Sequence, residues 1–242
     1  MGMLAFFLNA TLFKTMGIAL PSPGDTMGLV SPVICNTFCI LLFGSCIVAA
    51  LLLGCTPKAY WRLLTDPETV KDFSSYYGNH VFLMNVGMFG LFLLGYYNLI
   101  GAPFNGVTFG VVFCMLSTCN AGSHPGNVWP IMLGYLASSV VFGWLSQAAG
   151  GDFAMTINSQ AIVVGLCYAN GLSPIADKYG WQYGFLAAVM HYLLVTSVPN
   201  LHGGFCLYNG GFTAALICVI LVPELEKFCR TKAERKELKV RK

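Results

Sequence analysis

Charged residues are what this sequence has least of. Only 10% of its 242 residues are charged, whereas a soluble protein carries about 25%. Between Val81 and Pro223 the charged residues are Asp152, Asp177 and Lys178. Because so few charges could not provide a solvated surface for a domain of that length, the composition predicts an all-α, polytopic integral membrane protein whose surroundings are the lipid bilayer.

The sequence also lacks the motifs of common enzymes. It contains no Gly-x-Ser-x-Gly, no His-Glu-x-x-His and no glycine-rich phosphate loop. The ten cysteines include no Cys-x-x-Cys pair and no Cys/His cluster with metal-ligand spacing, so we expect free thiols packed in apolar runs. We therefore expect no enzymatic activity, no cofactor and no metal ion. The shortage of carboxylates favours a neutral solute or passive conduction over ion-driven pumping.

Basic charge is concentrated at the C-terminus, where eight of the thirteen Lys and Arg residues lie in the last sixteen positions. A short basic tail after a membrane span determines topology, and we expect no nucleic-acid partner. Residues 1–222 are therefore predicted to form a single transmembrane domain, and residues 223–242 a basic cytoplasmic tail. We place the protein in the cell inner membrane. Because the chain begins almost inside a repeated motif, we expect it to be the C-terminal part of a longer protein.

Apolar runs predict six to eight transmembrane helices. Each clear run has the length that a hydrocarbon core of about 30 Å requires. The clear runs are 33–54, 81–100, 129–148 and 181–199, and the shorter or glycine-containing runs are 4–20, 104–118, 160–176 and 205–222. The polar segment 55–80 contains aromatic pairs beside basic groups, which predicts an interfacial segment.

The number of crossings depends on whether 104–118 and 205–222 cross the membrane or re-enter it. If all the runs cross, segment 55–80, Lys178 and the C-terminal tail fall on one side. If the two runs re-enter, Lys178 moves to the other side. Both alternatives leave the tail in the cytoplasm, because basic residues favour that side.

A short box recurs at 8–13, 104–109 and 208–213, each time with a bulky residue, then Asn, then a small residue. Recurrence at a near-constant spacing suggests duplicated structural units. The second and third boxes follow breaks that contain Gly or Pro, which predicts broken or half-length helices. Such segments in repeats often mark a transporter's binding site, because a helix that begins within the bilayer exposes N–H groups that need a partner.

These breaks predict a substrate path lined by amide, hydroxyl and imidazole side chains. The candidate residues are Asn105, Thr108, Asn120, His124, His191, His202, Asn209 and Thr213. We expect Asn105 and Asn209 to face each other or a shared cavity near mid-membrane, and His191 to be the strongest functional histidine, since a titratable group within a span is costly. The alternative is a structural role, in which Asn and Thr join packed helices. Asp152 and Asp177 are expected to be solvated turn residues.

Three stretches carry a resemblance to known families. They are Asn105-Gly-Val-Thr-Phe-Gly, Asn120-Ala-Gly-Ser-His-Pro-Gly-Asn-Val-Trp-Pro and His202-Gly-Gly-Phe-Cys-Leu-Tyr-Asn-Gly-Gly-Phe-Thr. Together they resemble an uncharacterised bacterial multi-pass membrane family, a domain of unknown function with internal repeats, which implies no activity. Phe104-Asn105-Gly106 and Tyr208-Asn209-Gly210 are also similar to the Phe-Asn-Gly boxes of urea transporters. That second resemblance implies paired half-length helices around a pore for a small neutral amide.

The leading functional hypothesis is a membrane channel or secondary transporter for a small polar, neutral solute. The alternative is a non-transport membrane scaffold or a subunit of a larger membrane complex. A third class is an intramembrane enzyme that uses His124, His191 or His202, which requires these histidines to converge in one cavity. Expected partners are lipid, the solute and, in a homo-oligomer, further copies of the chain.

Overall fold

The prediction of an all-α chain is confirmed by the structure, a computed structural model that describes residues 15–17, 31–66, 72–153, 155–197 and 209–240. Helices account for 83% of this part of the chain, which contains no strand. In chain order the α-helices are α1 (Pro32–Leu52), α2 (Pro57–Thr65), α3 (Phe73–Tyr77), α4 (Asn79–Leu99), α5 (Gly106–Ser117), α6 (Pro125–Ala148), α7 (Gln160–Ala169), α8 (Ser173–Tyr179), α9 (Trp181–Ser197), α10 (Asn209–Phe228) and α11 (Lys232–Val240).

Three of the helices, α1, α4 and α6, are long and apolar enough to cross a membrane. They correspond to the predicted runs 33–54, 81–100 and 129–148. Large apolar side chains such as Leu41, Val48, Val140 and Trp144 are exposed on α1 and α6, an arrangement that indicates membrane association. The predicted total of six to eight spans stays a prediction.

The remaining apolar runs form shorter or interrupted helices. Helix α5 passes into a 3₁₀ turn at Thr118–Ala121, and another 3₁₀ turn at Asn170–Leu172 separates α7 from α8. The second interruption has a local cause. Asn170 and Gly171 are weak helix formers, and Pro174 lacks the N–H that would continue the helix by bonding the carbonyl of Asn170.

Close helix crossings in this bundle occur at glycine residues. A Cβ atom added to Gly134 of α6 would lie 2.6 Å from the Cβ of Ala188 in α9. One added to Gly87 of α4 would lie 2.7 Å from the carbonyl oxygen of Phe43 in α1. Because no side chain separates the backbones at these points, the two pairs of helices pack tightly.

The predicted interfacial segment folds into two short helices, each capped by a side chain. Thr56 accepts a hydrogen bond from the Ala59 N–H at 3.2 Å at the start of α2. Asp72 accepts from the Ser75 hydroxyl at 2.7 Å and from backbone N–H groups at the start of α3. The hydrogen bond from the Ser75 side chain has the largest effect and that from Ser74 the next largest, and together they lower the pKa of Asp72 to about 2. Polar side chains of this segment, Thr56 and Asp72, therefore cap its two helices.

The polar segments meet at one end of the molecule, which we call the polar end and which comprises α2, α3, the end of α8 and α11. The Phe73 ring of α3 lies 6.2 Å from the His124 ring. Lys178 donates to Glu226 at 3.1 Å, and Arg235 of α11 donates to the carbonyl oxygen of Tyr179. Helices α2 and α3, Lys178 and α11 thus lie at one end of the molecule. Whether the runs cross the membrane or re-enter it stays a prediction.

Candidate functional site

Helices α5 and α7 lie side by side and run parallel. Asn105 Nδ2 donates to Gln160 Oε1 at 2.6 Å. Further along, Cys167 Sγ lies 3.8 Å from the carbonyl oxygen of Val111, and Asn170 Nδ2 lies 3.4 Å from that of Met115. Because these contacts follow one another in the same order on both helices, the helices are parallel.

We call this interface the α5/α7 seam. It is formed by Asn105, Val111, Met115 and Thr118 on one side and by Gln160, Cys167 and Asn170 on the other.

The seam begins at Asn105, whose side chain caps α5. Its Oδ1 accepts a hydrogen bond from the Thr108 N–H at 2.9 Å, and the Thr108 hydroxyl donates to the Pro103 carbonyl at 2.5 Å. Both side chains are buried. Asn105 therefore satisfies a free N–H at a helix start and keeps its amide donor for Gln160.

Two polar atoms at the start of α7, where Gln160 bonds Asn105, are buried without a partner in the described part of the chain. Gln160 Nε2 and Ser159 Oγ have no hydrogen bond to any of the residues that the structure describes. A buried polar group without a partner costs about 1–3 kcal/mol. The start of the seam therefore presents hydrogen-bond donors that a polar molecule could satisfy.

Asn170 presents an acceptor deeper in the seam. Its side chain is fully buried, at 0% exposure, and its Nδ2 donates to Thr118 Oγ1 at 2.5 Å. Because the Met115 carbonyl oxygen beside Nδ2 can only accept, the orientation of the amide is fixed. Its Oδ1 is left without a partner in the described part of the chain. Our sequence reasoning missed Asn170, although the Asn-Gly-x-x-Pro pattern inside an apolar run was a signal.

The polar face of the seam continues along α8 towards the polar end. Asn170, Ser173 and Asp177 are spaced by three and four residues, so they share one helical face. Ser173 Oγ lies 3.3 Å from Ser123 Oγ, and Asn127 Nδ2 donates to Asp177 Oδ2 at 3.4 Å.

We call the buried group around this face the polar cluster. It consists of Asn85, Ser123, His124, Asn127, Ser173 and Asp177.

Asp177 is not the solvated turn residue that we expected from the sequence. It is 6% exposed, because α8 continues to Tyr179 and directs the carboxylate inward. Its Oδ2 lies 3.8 Å from His124 Nε2. His124 itself is buried at the start of α6, where its Nδ1 accepts from the Gly126 N–H at 3.1 Å. The predicted site residue His124 therefore has an acidic neighbour, Asp177, that the sequence did not reveal.

A family described as "Protein of unknown function (DUF1576)" matches residues 56–227, which is most of the chain. The chain belongs to this family. No curated protein and no solved structure matches the chain significantly. The α5/α7 seam and the polar cluster lie within the DUF1576 region, whereas α1 and α11 lie outside it. The prediction of a domain of unknown function is thus confirmed, while the resemblance to urea transporters and a bacterial origin receive no support from these comparisons.

His191 of the DUF1576 region lies in a second buried group, together with the predicted Thr213. Its Nε2 lies 2.9 Å from the Gly210 carbonyl oxygen and 2.9 Å from Thr213 Oγ1. Because that carbonyl only accepts, Nε2 carries the proton. Nδ1 therefore accepts from the Tyr135 hydroxyl at 2.5 Å. These bonds join α6, α9 and α10, so His191 connects three helices at their centre.

The His191 group and the seam lie on different sides of α7. A Cβ atom added to Gly165 of α7 would lie 3.3 Å from the Tyr135 hydroxyl, and the Tyr168 ring packs against Gly210. Cys167 and Asn170 instead contact α5. His191 therefore lies on the opposite side of α7 from the seam and does not line it.

The other predicted residues have separate positions. Asn120 accepts a hydrogen bond from the Ser74 N–H at 3.1 Å, so it holds α3. His202, the first box at 8–13 and the side chain of Asn209 lie outside the described residues. The expected pairing of Asn105 with Asn209 therefore stays a prediction. Within the described ranges, no three His, Cys, Asp or Glu side chains are placed to hold a metal ion.

Proposed function

We propose that this protein moves a small polar, neutral solute across a membrane along the α5/α7 seam. The observation that carries the proposal is that Gln160 Nε2 and Asn170 Oδ1 in the seam, and Ser159 Oγ next to Gln160 in the chain, are buried without partners among the described residues. Lipid offers no hydrogen bonds to such atoms. A passing solute does, and interrupted helices are where transporters expose polar backbone and side chains to their solutes.

The chemistry of the seam favours an uncharged solute with both donors and acceptors. Gln160 and Ser159 offer donors at the start of the seam, and Asn170 offers an acceptor further in. The seam itself contains no charged residue, so an ion would lose its hydration without compensation. A small amide or polyol could exchange water for these side-chain groups one after another.

The proposed arrangement in the membrane follows from the same helices. We take α1, α4, α5, α6, the α7–α8 pair, α9 and α10 as crossing segments of a multi-pass protein. The basic residues of α2 and α11 lie at the polar end, which supports a cytoplasmic location for that end and for the C-terminus in the inner membrane. The described histidines do not support the enzyme alternative, since His124 lies in the polar cluster and His191 lies beyond α7.

Flux into proteoliposomes tests the proposal with a panel of small amides, polyols, carboxylates and nucleosides. We expect an amide or a polyol to enter faster than it enters protein-free vesicles. Asn170→Leu and Gln160→Leu should each lower that rate by about tenfold, because one lost hydrogen bond to the solute is worth about 1.4 kcal/mol.

Asn98→Leu is the matched control for these variants. Asn98 donates to Asn36 at 2.7 Å between α4 and α1 and is not one of the seam residues, so this variant should keep the wild-type rate. If no panel member enters faster than in empty vesicles, the scaffold alternative replaces the transport proposal. If Asn98→Leu and Asn170→Leu lose flux equally, the seam is not the path.

A further inference from the structure

We propose that His124 and Asp177 form a proton-binding site, and that proton uptake there releases part of the N-terminal cap of α6. This site is distinct from the solute path and adds a second ligand, the proton, to the protein. Asp152 is exposed, whereas Asp177 is buried. Burying a carboxylate costs free energy because the charge loses its water, and charged or hydrogen-bonding neighbours offset that cost.

The two oxygens of Asp177 face different surroundings. Oδ2 points inward, 3.8 Å from His124 Nε2 and 3.4 Å from Asn127 Nδ2. Oδ1 points outward and lies 4.0 Å from Lys232 Nζ of α11. The side chains of His124, Asp177 and Lys232 are 1%, 8% and 42% exposed. The three therefore form a line from solvent to a fully buried imidazole.

The backbone of α6 fixes which nitrogen of His124 carries a proton. The Gly126 N–H donates to Nδ1 at 3.1 Å, so Nδ1 is unprotonated and the neutral ring holds its proton on Nε2, towards Asp177. A proton taken from water must then bind Nδ1. It converts a neutral imidazole beside a carboxylate into an imidazolium–carboxylate pair, and it leaves the Gly126 N–H without its acceptor.

Part of the cap survives this change. The His124 N–H donates to Asn127 Oδ1 at 3.0 Å, and that bond does not involve the ring. Protonation therefore loosens the first turn of α6 while this half of its capping box remains. Because Asn127 also bonds Asp177, the carboxylate, the ring and the helix start form one linked unit.

Other charged groups near the site are occupied by partners of their own. From α2 and α3, Asp66 accepts from the Tyr77 hydroxyl at 2.8 Å, Asp72 bonds Ser74 and Ser75, and Arg62 lies over the Tyr76 ring. At the end of α8, Lys178 pairs with Glu226. Among the described residues, His124 and Lys232 are the cations or potential cations within 4.0 Å of Asp177. The charge state of the site is thus set by these three groups.

Nitrogen-15 NMR of the full chain in lipid nanodiscs tests this proposal without any solute. We expect the His124 ring and Gly126 amide signals to change together as the pH is lowered from about 8 to about 5. In Asp177→Asn the imidazolium–carboxylate pair cannot form, so both signals should change less over the same pH range.

His124→Asn is the matched variant, because its side-chain oxygen can still accept from the Gly126 N–H but does not titrate. Its Gly126 amide signal should stay constant over the same pH range. The proposal is overturned if the wild-type Gly126 signal does not move while the protein stays folded, or if the same shift persists in His124→Asn. The wild-type protein and His124→Asn are sufficient to test the proposal even if Asp177→Asn fails to fold.

Discussion

Single amide and imidazole side chains connect the helices of this protein at the residue scale. Asn105 caps α5 and bonds Gln160 of α7. Asn170 bonds α5 from the interruption of the α7–α8 pair, and His191 joins α9 to α10. Where apolar surfaces face lipid, hydrophobic burial does not favour one helix partner over another. These few hydrogen bonds therefore specify which helices pair.

A double-mutant cycle should measure how much the hydrogen bond between Tyr135 and His191 contributes to stability. Tyr135→Phe and His191→Leu each leave one or more buried polar atoms unpaired, so each should lower the free energy of unfolding by about 1–3 kcal/mol. The double variant should lose about 1 kcal/mol less than the sum of the two, because the variants remove the same hydrogen bond. Equilibrium unfolding in mixed micelles measures all four proteins.

The control pair for this cycle is Tyr135→Phe with Asn98→Leu. Asn98 lies at the contact of α1 with α4, away from Tyr135, so these two costs should add. Strict additivity in the His191 cycle as well would mean that the Tyr135–His191 bond contributes nothing to stability.

Interrupted helices and glycine crossings determine the packing at the scale of elements. The 3₁₀ turns at Thr118–Ala121 and Asn170–Leu172 place polar side chains against each other, as at the contact of Thr118 with Asn170. Gly134 and Gly87 allow the uninterrupted helices to approach closely. At these two positions the backbone of one helix contacts the backbone and a side chain of the other. The tightly packed pairs α1–α4 and α6–α9 thus flank the broken helices that form the seam.

Alanine at Gly134 should destabilise the protein, whereas alanine at Gly95 should not. The new methyl at Gly134 would lie 2.6 Å from Ala188 Cβ and 2.9 Å from the Phe185 carbonyl oxygen, an overpacking that costs about 1–3 kcal/mol. Gly95 also lies within a long helix, but a methyl group added there would have nothing within 4 Å. Gly95→Ala should raise the free energy of unfolding by up to about 1 kcal/mol.

Equilibrium unfolding in mixed micelles also compares the two glycine variants. Equal effects of Gly134→Ala and Gly95→Ala would show that the α6–α9 crossing is looser than the structure indicates.

The whole molecule has one polar end and one apolar body. Segment 55–80, Lys178 and the tail meet at the polar end, and the turn at 149–153 lies at the other end of α6. This asymmetry agrees with the proposed multi-pass arrangement, in which the basic residues lie on one side of the membrane. It also places the His124–Asp177 pair near the face that carries α11.

Protease sites should reveal this asymmetry in sealed vesicles. A specific cleavage site between α1 and α2 and another after α11 should be cut from the same side of the membrane, because both lie at the polar end. A third site in the turn at 149–153 is the control and should be cut from the opposite side. Cleavage of the first two sites from opposite sides would contradict the arrangement of the polar end.

The sequence by itself determined the helical class, the three long apolar helices and the break before the helix that starts at Gly106. These follow from local rules, because apolar length, Gly and Pro act on the chain within a few residues. Only the tertiary structure decided that Asp177 is buried beside His124, that the Asn170 oxygen has no partner in the described part of the chain, and that His191 lies on the other side of α7 from the seam. Burial and pairing depend on helices distant in the sequence, and no local pattern encodes which neighbour a polar side chain will meet.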